Sequence, residues 1–272
     1  MKISLFINKS VEENASNYFE QAKKARKKLK GAKKALEISQ KKKASQKEVV
    51  VNTPERKKIV KKEWFEKFRW FVSSEGFLII GGRDATTNEI VIKKYTDKED
   101  LVLHTQMAGS PFVIIKAEGK KIDDKTLDEA AVFTGSVSAA WKNGMSSSLV
   151  EYVKPDQVTK EANAGEFLPK GAFMIRGKTQ HKTVPLAYGV GIYKDKIMGG
   201  PITAIEKNCE SFVEIVQGAE KPSDIAKKIK SKIGGELDEI IRALPSGGCV
   251  LKKRDSERVK EMIARSKYKE SK

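Results

Sequence analysis

The sequence predicts an α+β fold: a mixed, largely antiparallel sheet with packed helices, preceded by a helical hairpin or coiled-coil arm. Three observations support this prediction. Residues 10–39 show one long helical pattern, short apolar runs separated by Gly, Pro, Asp and Asn follow from residue 69, and one main helical pattern lies at residues 123–141. Successive hairpins with few helices between them are typical of α+β folds rather than of parallel α/β sheets.

The arm is predicted to begin at Ser10, because Ser10 and Glu13 have the spacing of a capping box. A seam of apolar and small residues, alternately four and three apart, predicts a coiled coil or a helical hairpin. The seam consists of Val11, Ala15, Tyr18, Ala22, Ala25, Leu29, Ala32 and Leu36. A cationic break is expected at residues 41–47. Thr53 and Pro54 are then expected to start a return helix over residues 54–68.

The body after residue 69 is predicted to be rich in strands, because β-branched and apolar runs alternate with turn residues. These runs are residues 69–73, 77–80, 90–95, 101–104, 112–116, 149–153, 172–176, 185–193 and 212–216. Asp123 or Asp124 is expected to cap the helix that closes with Trp141 in the core. Ser223 is expected to cap a further helix, residues 238–244 form another candidate, and residues 199–201 are a predicted turn.

Residues 81–89 lie between two of the apolar runs and are predicted to form a turn. This turn carries Arg83, Asp84, Asn88 and Glu89. Loops mounted on strands are common recognition sites, but turns are also polar simply because Gly, Asp and Asn favour them. Local pattern alone therefore leaves open a recognition loop or an ordinary solvated hairpin turn.

The net charge of +18 is concentrated near the N-terminus, where residues 1–62 hold 19 Lys and Arg against 6 Asp and Glu. Four lysines, Lys57, Lys58, Lys61 and Lys62, crowd the predicted return helix. A basic arm on a nearly balanced body favours a polyanionic partner. The alternative is a lysine-rich helix whose charges are only solvated.

No catalytic, metal or cofactor site is predicted. The two cysteines and two histidines lack metal-ligand spacing, no glycine-rich loop runs into Lys-Ser/Thr, and Asp84, Glu89 and His104 have no diagnostic spacing. No apolar run approaches the length of a membrane span, and no signal peptide is expected. Few cysteines and many lysines favour a cytoplasmic location.

Three long motifs are more specific than these patterns. Residues 64–76 run directly into Gly81-Gly82-Arg83-Asp84-Ala85, and Ser138–Trp141 and Gly165–Lys178 follow in order. Together they resemble the NFACT-R domain, the RNA-binding module of the NFACT proteins, over roughly residues 10–250. Lysine and arginine neutralise phosphates, whereas Asp, Asn, Glu and His can contact bases or ribose. The candidate RNA-binding residues are Arg83, Asp84, Asn88, Glu89, His104, Arg176, Lys178, Lys57, Lys58, Lys61 and Lys62.

The resemblance implies a non-catalytic role in ribosome-associated quality control, with tRNA and the large ribosomal subunit as partners. It implies an arm (residues 1–68), an NFACT-R core (69–183), an α+β extension (184–252) and a charged tail (253–272). The sequence has no NFACT-N pattern, so a separate chain carrying that domain is a candidate partner. The alternative function is a protein-interaction module that dimerises through the arm. An enzyme acting on RNA is a more distant alternative.

Overall fold

The computed structural model describes residues 4–45, 62–162 and 167–252. The chain divides into two units, residues 1–61 and 62–272. The predicted tail and most of the predicted return helix, including Thr53 and Pro54, lie outside the described residues. The described elements comprise a long N-terminal helix, antiparallel sheets and packed helices, so the α+β prediction is confirmed.

The first unit contains helix α1, Val11–Ser45. Its predicted start is confirmed: the Ser10 backbone N–H donates to Glu13 Oε2 at 2.9 Å, and the Glu13 N–H donates to Ser10 Oγ at 3.2 Å. The predicted break at residues 41–47 is wrong up to Ser45, because the helix continues to that residue. Lys and Ala both favour helices, and cations suit a helix C-terminus, so the lysine run extends the helix.

The apolar seam of α1 is largely exposed. Val11 is 80% exposed, Leu29 57% and Leu36 60%. A single helix cannot bury its own apolar stripe, so tertiary or intermolecular packing would have to cover the seam.

The described residues of the second unit form twelve short strands, and every described pairing is antiparallel. They are β1 Arg69–Val72, β2 Leu78–Gly81, β3 Leu101–Thr105, β4 Val113–Ile115, β5 Ser147–Val153, β6 Val158–Thr159, β7 Met174–Ile175, β8 Gln180–Pro185, β9 Tyr188–Tyr193, β10 Lys196–Gly200, β11 Ser211–Gln217 and β12 Cys249–Leu251. They form a six-stranded sheet in the order β1-β2-β4-β3-β5-β8, a four-stranded sheet in the order β10-β9-β11-β12, and the pair β6-β7.

Six helices accompany the sheets: α2 Ala85–Tyr95, α3 Asp124–Ser136, α4 Ala139–Lys142, α5 Ile202–Asn208, α6 Pro222–Ile233 and α7 Leu237–Ala243. A 3₁₀ turn, Trp64–Lys67, stands where the return helix was expected to end. The predicted strand at residues 172–176 is shorter than expected, because only Met174–Ile175 pair with β6.

The predicted hairpin at residues 81–95 is wrong. The chain leaves β2 and enters helix α2 instead of a strand. Asp84 caps this helix: its carboxylate accepts from the Thr87 N–H at 2.8 Å, and Thr87 Oγ1 accepts from the Asp84 N–H at 2.9 Å. The β-branched residues that suggested a strand are tolerated because the cap and the burial of Val91 outweigh propensity.

The predicted helix at residues 123–141 starts as expected, with Asp123 accepting from the Thr126 N–H at 2.6 Å. It then divides into α3 and α4. Ser138 Oγ donates to the Gly135 carbonyl at 2.7 Å and accepts from the Ala140 N–H at 3.2 Å. A serine that bonds backbone groups in this way competes with helix continuation. Trp141 is 1% exposed, which confirms its predicted place in the core.

Two further local predictions are wrong. Lys221, not Ser223, is the N-cap of α6, and Pro222 takes the first helical position, for which its fixed φ is suited. Gly199 and Gly200 belong to strand β10 rather than to a turn. At Gly200 a Cβ would lie 3.0 Å from Phe71, so glycine permits a close approach between the two sheets.

The two larger sheets share one core. The rings of Phe71 and Phe133 lie 4.8 Å apart, and those of Phe133 and Tyr188 lie 6.2 Å apart. These three residues come from β1, α3 and β9 and are all at most 1% exposed. The core therefore joins the six-stranded sheet to the four-stranded sheet.

Candidate nucleic-acid interface

The junction between β2 and α2 brings several predicted residues together. At Gly82 a Cβ would lie 1.8 Å from Asn88 Oδ1, so the backbone can pass this side chain only as glycine. Asn88 Oδ1 in turn accepts from the Phe112 N–H at 3.2 Å. The Asn88 amide thus fixes the junction against the start of β4.

A cleft of about 530 Å³ opens beside this junction. Its walls come from the junction itself, the end of β3, the loop before β4 and the loop at residues 169–173. The lining includes Arg69, Gly82, Arg83, Asp84, Asn88, His104, Ser110, Phe112, Lys170, Phe173 and Ser246. A volume of this size is typical of sites that enclose a small molecule or part of a larger one.

His104 lies in this cleft with its ring stacked on Phe112, at a centroid distance of 4.3 Å and an interplanar angle of 22°. Burial lowers the pKa of His104 to about 4. The imidazole is therefore neutral at pH 7. It offers a ring face, one donor and one acceptor, but no charge for a phosphate.

Arg83 lines the cleft, but its guanidinium binds backbone carbonyls. Its guanidinium donates to the carbonyls of Lys67 at 3.2 Å, Phe68 at 2.8 Å and Arg242 at 2.6 Å. Burial, followed by the charges of Arg69 and Arg242, lowers the pKa of Arg83 to about 10, so it remains charged at pH 7. This geometry gives Arg83 a structural role, and its contact with RNA stays a prediction.

Two neighbouring side chains bind the same end of α7 as Arg83. Arg69 donates to the Leu244 carbonyl at 2.7 Å, and the Tyr188 hydroxyl donates to the Ala243 carbonyl at 2.8 Å. The last carbonyls of a helix have no partners within it and carry partial negative charge. The two arginines therefore join the end of α7 to the six-stranded sheet, and Tyr188 joins it to the four-stranded sheet.

The two predicted carboxylates, Asp84 and Glu89, both bind groups of the protein beside the cleft. Asp84 is the cap of α2. Glu89 accepts from Lys93 and Lys160, each at 2.7 Å, and from the Gly171 N–H at 3.2 Å. These lysine and backbone hydrogen bonds lower the pKa of Glu89 to about 2. Glu89 thereby ties Lys160 and Gly171 to α2.

The hydrogen bonds of Glu89 predict that the stability of the protein falls as this carboxylate is protonated at acid pH. Because the folded pKa of Glu89 lies below its ordinary value of 4.5, its stabilising effect is present above pH 4.5 and is lost as the pH falls toward about 2. The Glu89→Gln variant should therefore show a shallower fall of Tm between pH 5 and 2 than the parent protein, and the two curves should converge near pH 2. Glu210→Gln, an exposed control, should follow the parent curve. Parallel curves for Glu89→Gln and the parent would contradict the assignment.

The other predicted cations lie outside the cleft. Arg176 and Lys178 are exposed just before β8, and their backbone carbonyls accept from the Gln157 side chain at 3.0 and 2.9 Å. Lys62 is exposed and lines a separate cavity of about 290 Å³ with Trp64. Lys57, Lys58 and Lys61 lie outside the described residues.

The sheet register places further polar residues beside the cleft. His104 pairs opposite Glu151 of β5, and Glu151 pairs opposite His181 of β8. The two histidines, 77 positions apart in the sequence, thus belong to one row across three strands. Sequence reasoning missed Glu151, His181 and Lys170, because only long-range strand pairing and loop placement bring them to this site.

Within the described residues, no three His, Cys, Asp or Glu side chains are grouped to hold a metal ion. Cys209 and Cys249 are free and buried, and burial raises the pKa of their thiols to about 12 and 11. None of the described helices is long and apolar enough to cross a membrane.

Comparison with known proteins defines the class of this domain. Residues 67–177, which contain most of the cleft, match the family described as NFACT protein RNA binding domain. This region, with its helix-capped junction and stacked imidazole, is therefore an RNA-binding domain of the NFACT type. The chain thus carries an NFACT-R domain and is similar over part of its length to RqcH and NEMF proteins.

Two curated relatives illustrate this relationship. The chain is 41% identical over 208 residues to the archaeal Rqc2 homolog aRqcH of Methanocaldococcus jannaschii, covering 73% of this chain and 31% of that protein. It is 40% identical over 170 residues to the human ribosome quality control complex subunit NEMF, covering 61% and 16% respectively. The chain thus spans under a third of the archaeal relative and about a sixth of the human one.

A solved structure, the C-terminal part of the fibronectin/fibrinogen-binding protein from Streptococcus suis, is 17% identical, with a TM-score of 0.38. The similarity covers 66% of this chain and 77% of that one.

Proposed function

We propose that this protein is a non-enzymatic RNA-binding module that acts on tRNA or on the RNA of the large ribosomal subunit in ribosome-associated quality control. The observation that carries the proposal is the match of residues 67–177, which form most of the cleft, to an RNA-binding domain family. The proposed process comes from the name of the human relative, a ribosome quality control complex subunit. This role places the protein in the cytoplasm, with a separate chain carrying an NFACT-N domain as a further proposed partner.

The charge distribution supports contact with a polyanion. The chain carries a net charge of +18, and Lys170, Arg176 and Lys178 are exposed in or near the cleft. Cations at such positions neutralise phosphates and release counterions, which makes the affinity depend on salt. A non-enzymatic role fits the match to an RNA-binding domain family and the burial of both thiols.

The salt dependence of RNA binding tests the cation contacts. Replacing Arg176 and Lys178 with glutamine should weaken binding to tRNA and to large-subunit rRNA. It should also reduce the slope of log K against log salt by about 0.7–0.9 for each lost phosphate contact. The matched control replaces Lys230 and Lys232, exposed lysines at the far end of α6, and should leave the slope near that of the parent. Equal slopes for all three proteins would count against an interface at Arg176 and Lys178.

The identity of the RNA that the protein binds in cells tests its proposed role in ribosome-associated quality control. RNA recovered with the tagged protein from its native cytoplasm at two salt concentrations should be enriched in large-subunit rRNA and tRNA at the higher one. Indiscriminate RNA that is released at higher salt would contradict a specific role.

One observation favours a second candidate function. The exposed seam of α1, including Val11, Leu29 and Leu36, would suit a protein-interaction module that dimerises through its arm. Sedimentation would then show a dimer that forms as the protein concentration rises. The RNA-binding measurements described above would show no affinity for RNA.

A further inference from the structure

One face of the six-stranded sheet is partly exposed beside the cleft; at Val102 and Val153 the same face is buried against Val158, Phe173 and Ile175. In antiparallel pairing, residues directly opposite each other point to the same face. His104, Glu151 and His181 therefore form a row on one face across β3, β5 and β8. Phe112 extends the row through its stack on His104.

The opposite face of these strands is covered by α3. Lys182, next to His181 in β8, bonds to Asp128 of α3. At Gly135 of α3 a Cβ would lie 3.1 Å from Ser148 and 3.5 Å from Val184. Alternate residues of β5 and β8 thus pack under α3, and the row containing Glu151 and His181 lies on the other side.

The exposed part of this face continues beyond the row. Leu149 is 43% exposed, and Thr183 opposite it is also exposed. The side chain of His181 is 39% exposed, whereas that of Glu151 is only 12% exposed. Gln106, which follows β3, bonds to Glu151. The surface therefore combines ring faces, an amide and a carboxylate.

The charges on this face determine which part of a nucleic acid fits it. Glu151 lies at the centre of the row, and a carboxylate repels phosphates, so a duplex backbone is disfavoured there. Carboxylate, amide and imidazole groups pair instead with the edges of bases, and ring faces stack on unpaired bases. The cations lie at the margins: Lys170 lines the cleft, and Arg176 and Lys178 precede β8.

We propose that this sheet face binds unpaired RNA, with one base in the cleft against His104 and the next bases over Glu151 and His181. The backbone phosphates then follow the marginal cations. The proposal rests on the RNA-binding function proposed above and names the form of RNA that this site selects. The cleft, at about 530 Å³, encloses a base, and the flat face beside it does not require a particular sequence.

The test compares three RNA probes at one salt concentration: a 12-nucleotide single strand, the same strand in a duplex, and the single strand with abasic positions. Fluorescence anisotropy with the full chain should show at least ~10-fold tighter binding of the single strand than of the duplex, and a similar loss for the abasic strand. His181→Ala should weaken single-strand binding by about 5-fold or more, as expected for one lost stacking contact. Lys182→Ala, its neighbour facing α3, should have a smaller effect even though it removes a charge.

His104→Phe is the second variant, chosen because His104→Ala would also remove the ring that stacks on Phe112. It keeps a ring against Phe112 and should retain the preference for the single strand while losing discrimination among bases. Equal affinity for duplex and single strand, or no effect of His181→Ala on a protein that binds RNA, would overturn this inference alone. Failure of the parent protein to bind any of the probes, tRNA or rRNA would overturn the proposed function as well.

Discussion

Replacing Asp100 with alanine is expected to lower the free energy of unfolding by about 3–5 kcal/mol, because it leaves a buried ammonium group without its partner. Asp100 Oδ2 accepts from Lys116 Nζ at 2.5 Å, and Asp100 Oδ1 accepts from the Ala117 N–H at 2.9 Å. The side chains of Lys116 and Asp100 are only 7% and 1% exposed. The exposed carboxylate of Asp97, at 2.6 Å from Lys116, offsets part of the loss.

Chemical denaturation of three variants checks this expectation. Glu75→Ala breaks the exposed pair with Lys125, whose side chain is 55% exposed, and should change the free energy of unfolding little. The double variant Asp100→Leu with Lys116→Met removes both charges and should be more stable than Asp100→Ala. A loss below about 1 kcal/mol for Asp100→Ala would show that solvent reaches the pair.

Truncating Phe133 should destabilise both sheets together. Phe133→Ala removes a fully buried ring that contacts Phe71 and Tyr188, and such substitutions typically cost about 3–5 kcal/mol. For a unit of this size, each kcal/mol lowers Tm by about 2–4 °C, so Tm should fall by roughly 6–20 °C. Calorimetry should show one transition that shifts as a whole.

Two further substitutions serve as controls for Phe133→Ala. Phe133→Leu keeps most of the apolar volume and should cost less than half as much as Phe133→Ala. Leu149→Ala removes a side chain that is 43% exposed and should change the free energy of unfolding by about 0.5 kcal/mol or less. Two separate transitions in Phe133→Ala, with one unchanged, would mean that the sheets unfold independently.

Local signals predicted the parts of the fold that local chemistry determines. The β1–β2 hairpin, the caps at Ser10 and Asp123, and the burial of Trp141 all follow from spacing over a few residues. Helix α2 was mistaken for a strand because Ile90, Val91 and Ile92 carry β-branched side chains. The signal that could have corrected this is Asp84 with Thr87 three residues later, the spacing of a helix cap.

The site was less accessible to prediction, because its geometry depends on pairing over long distances. Nothing near Arg83 in the sequence indicates that its guanidinium binds a carbonyl at residue 242. Likewise, Glu151 and His181 join His104 only through the register of three strands. Sequence could indicate which residue types were suited to RNA, but not which of them support the backbone instead.

The cap on α7 also determines when the cleft is complete during synthesis. Arg69 bonds the carbonyl of Leu244 and the hydroxyl of Ser246, and Ser246 itself lines the cleft. A ribosome makes these residues about 175 codons after Arg69. A nascent chain that stalls between residues 177 and 244 therefore carries the matched domain without the Ser246 side of its cleft.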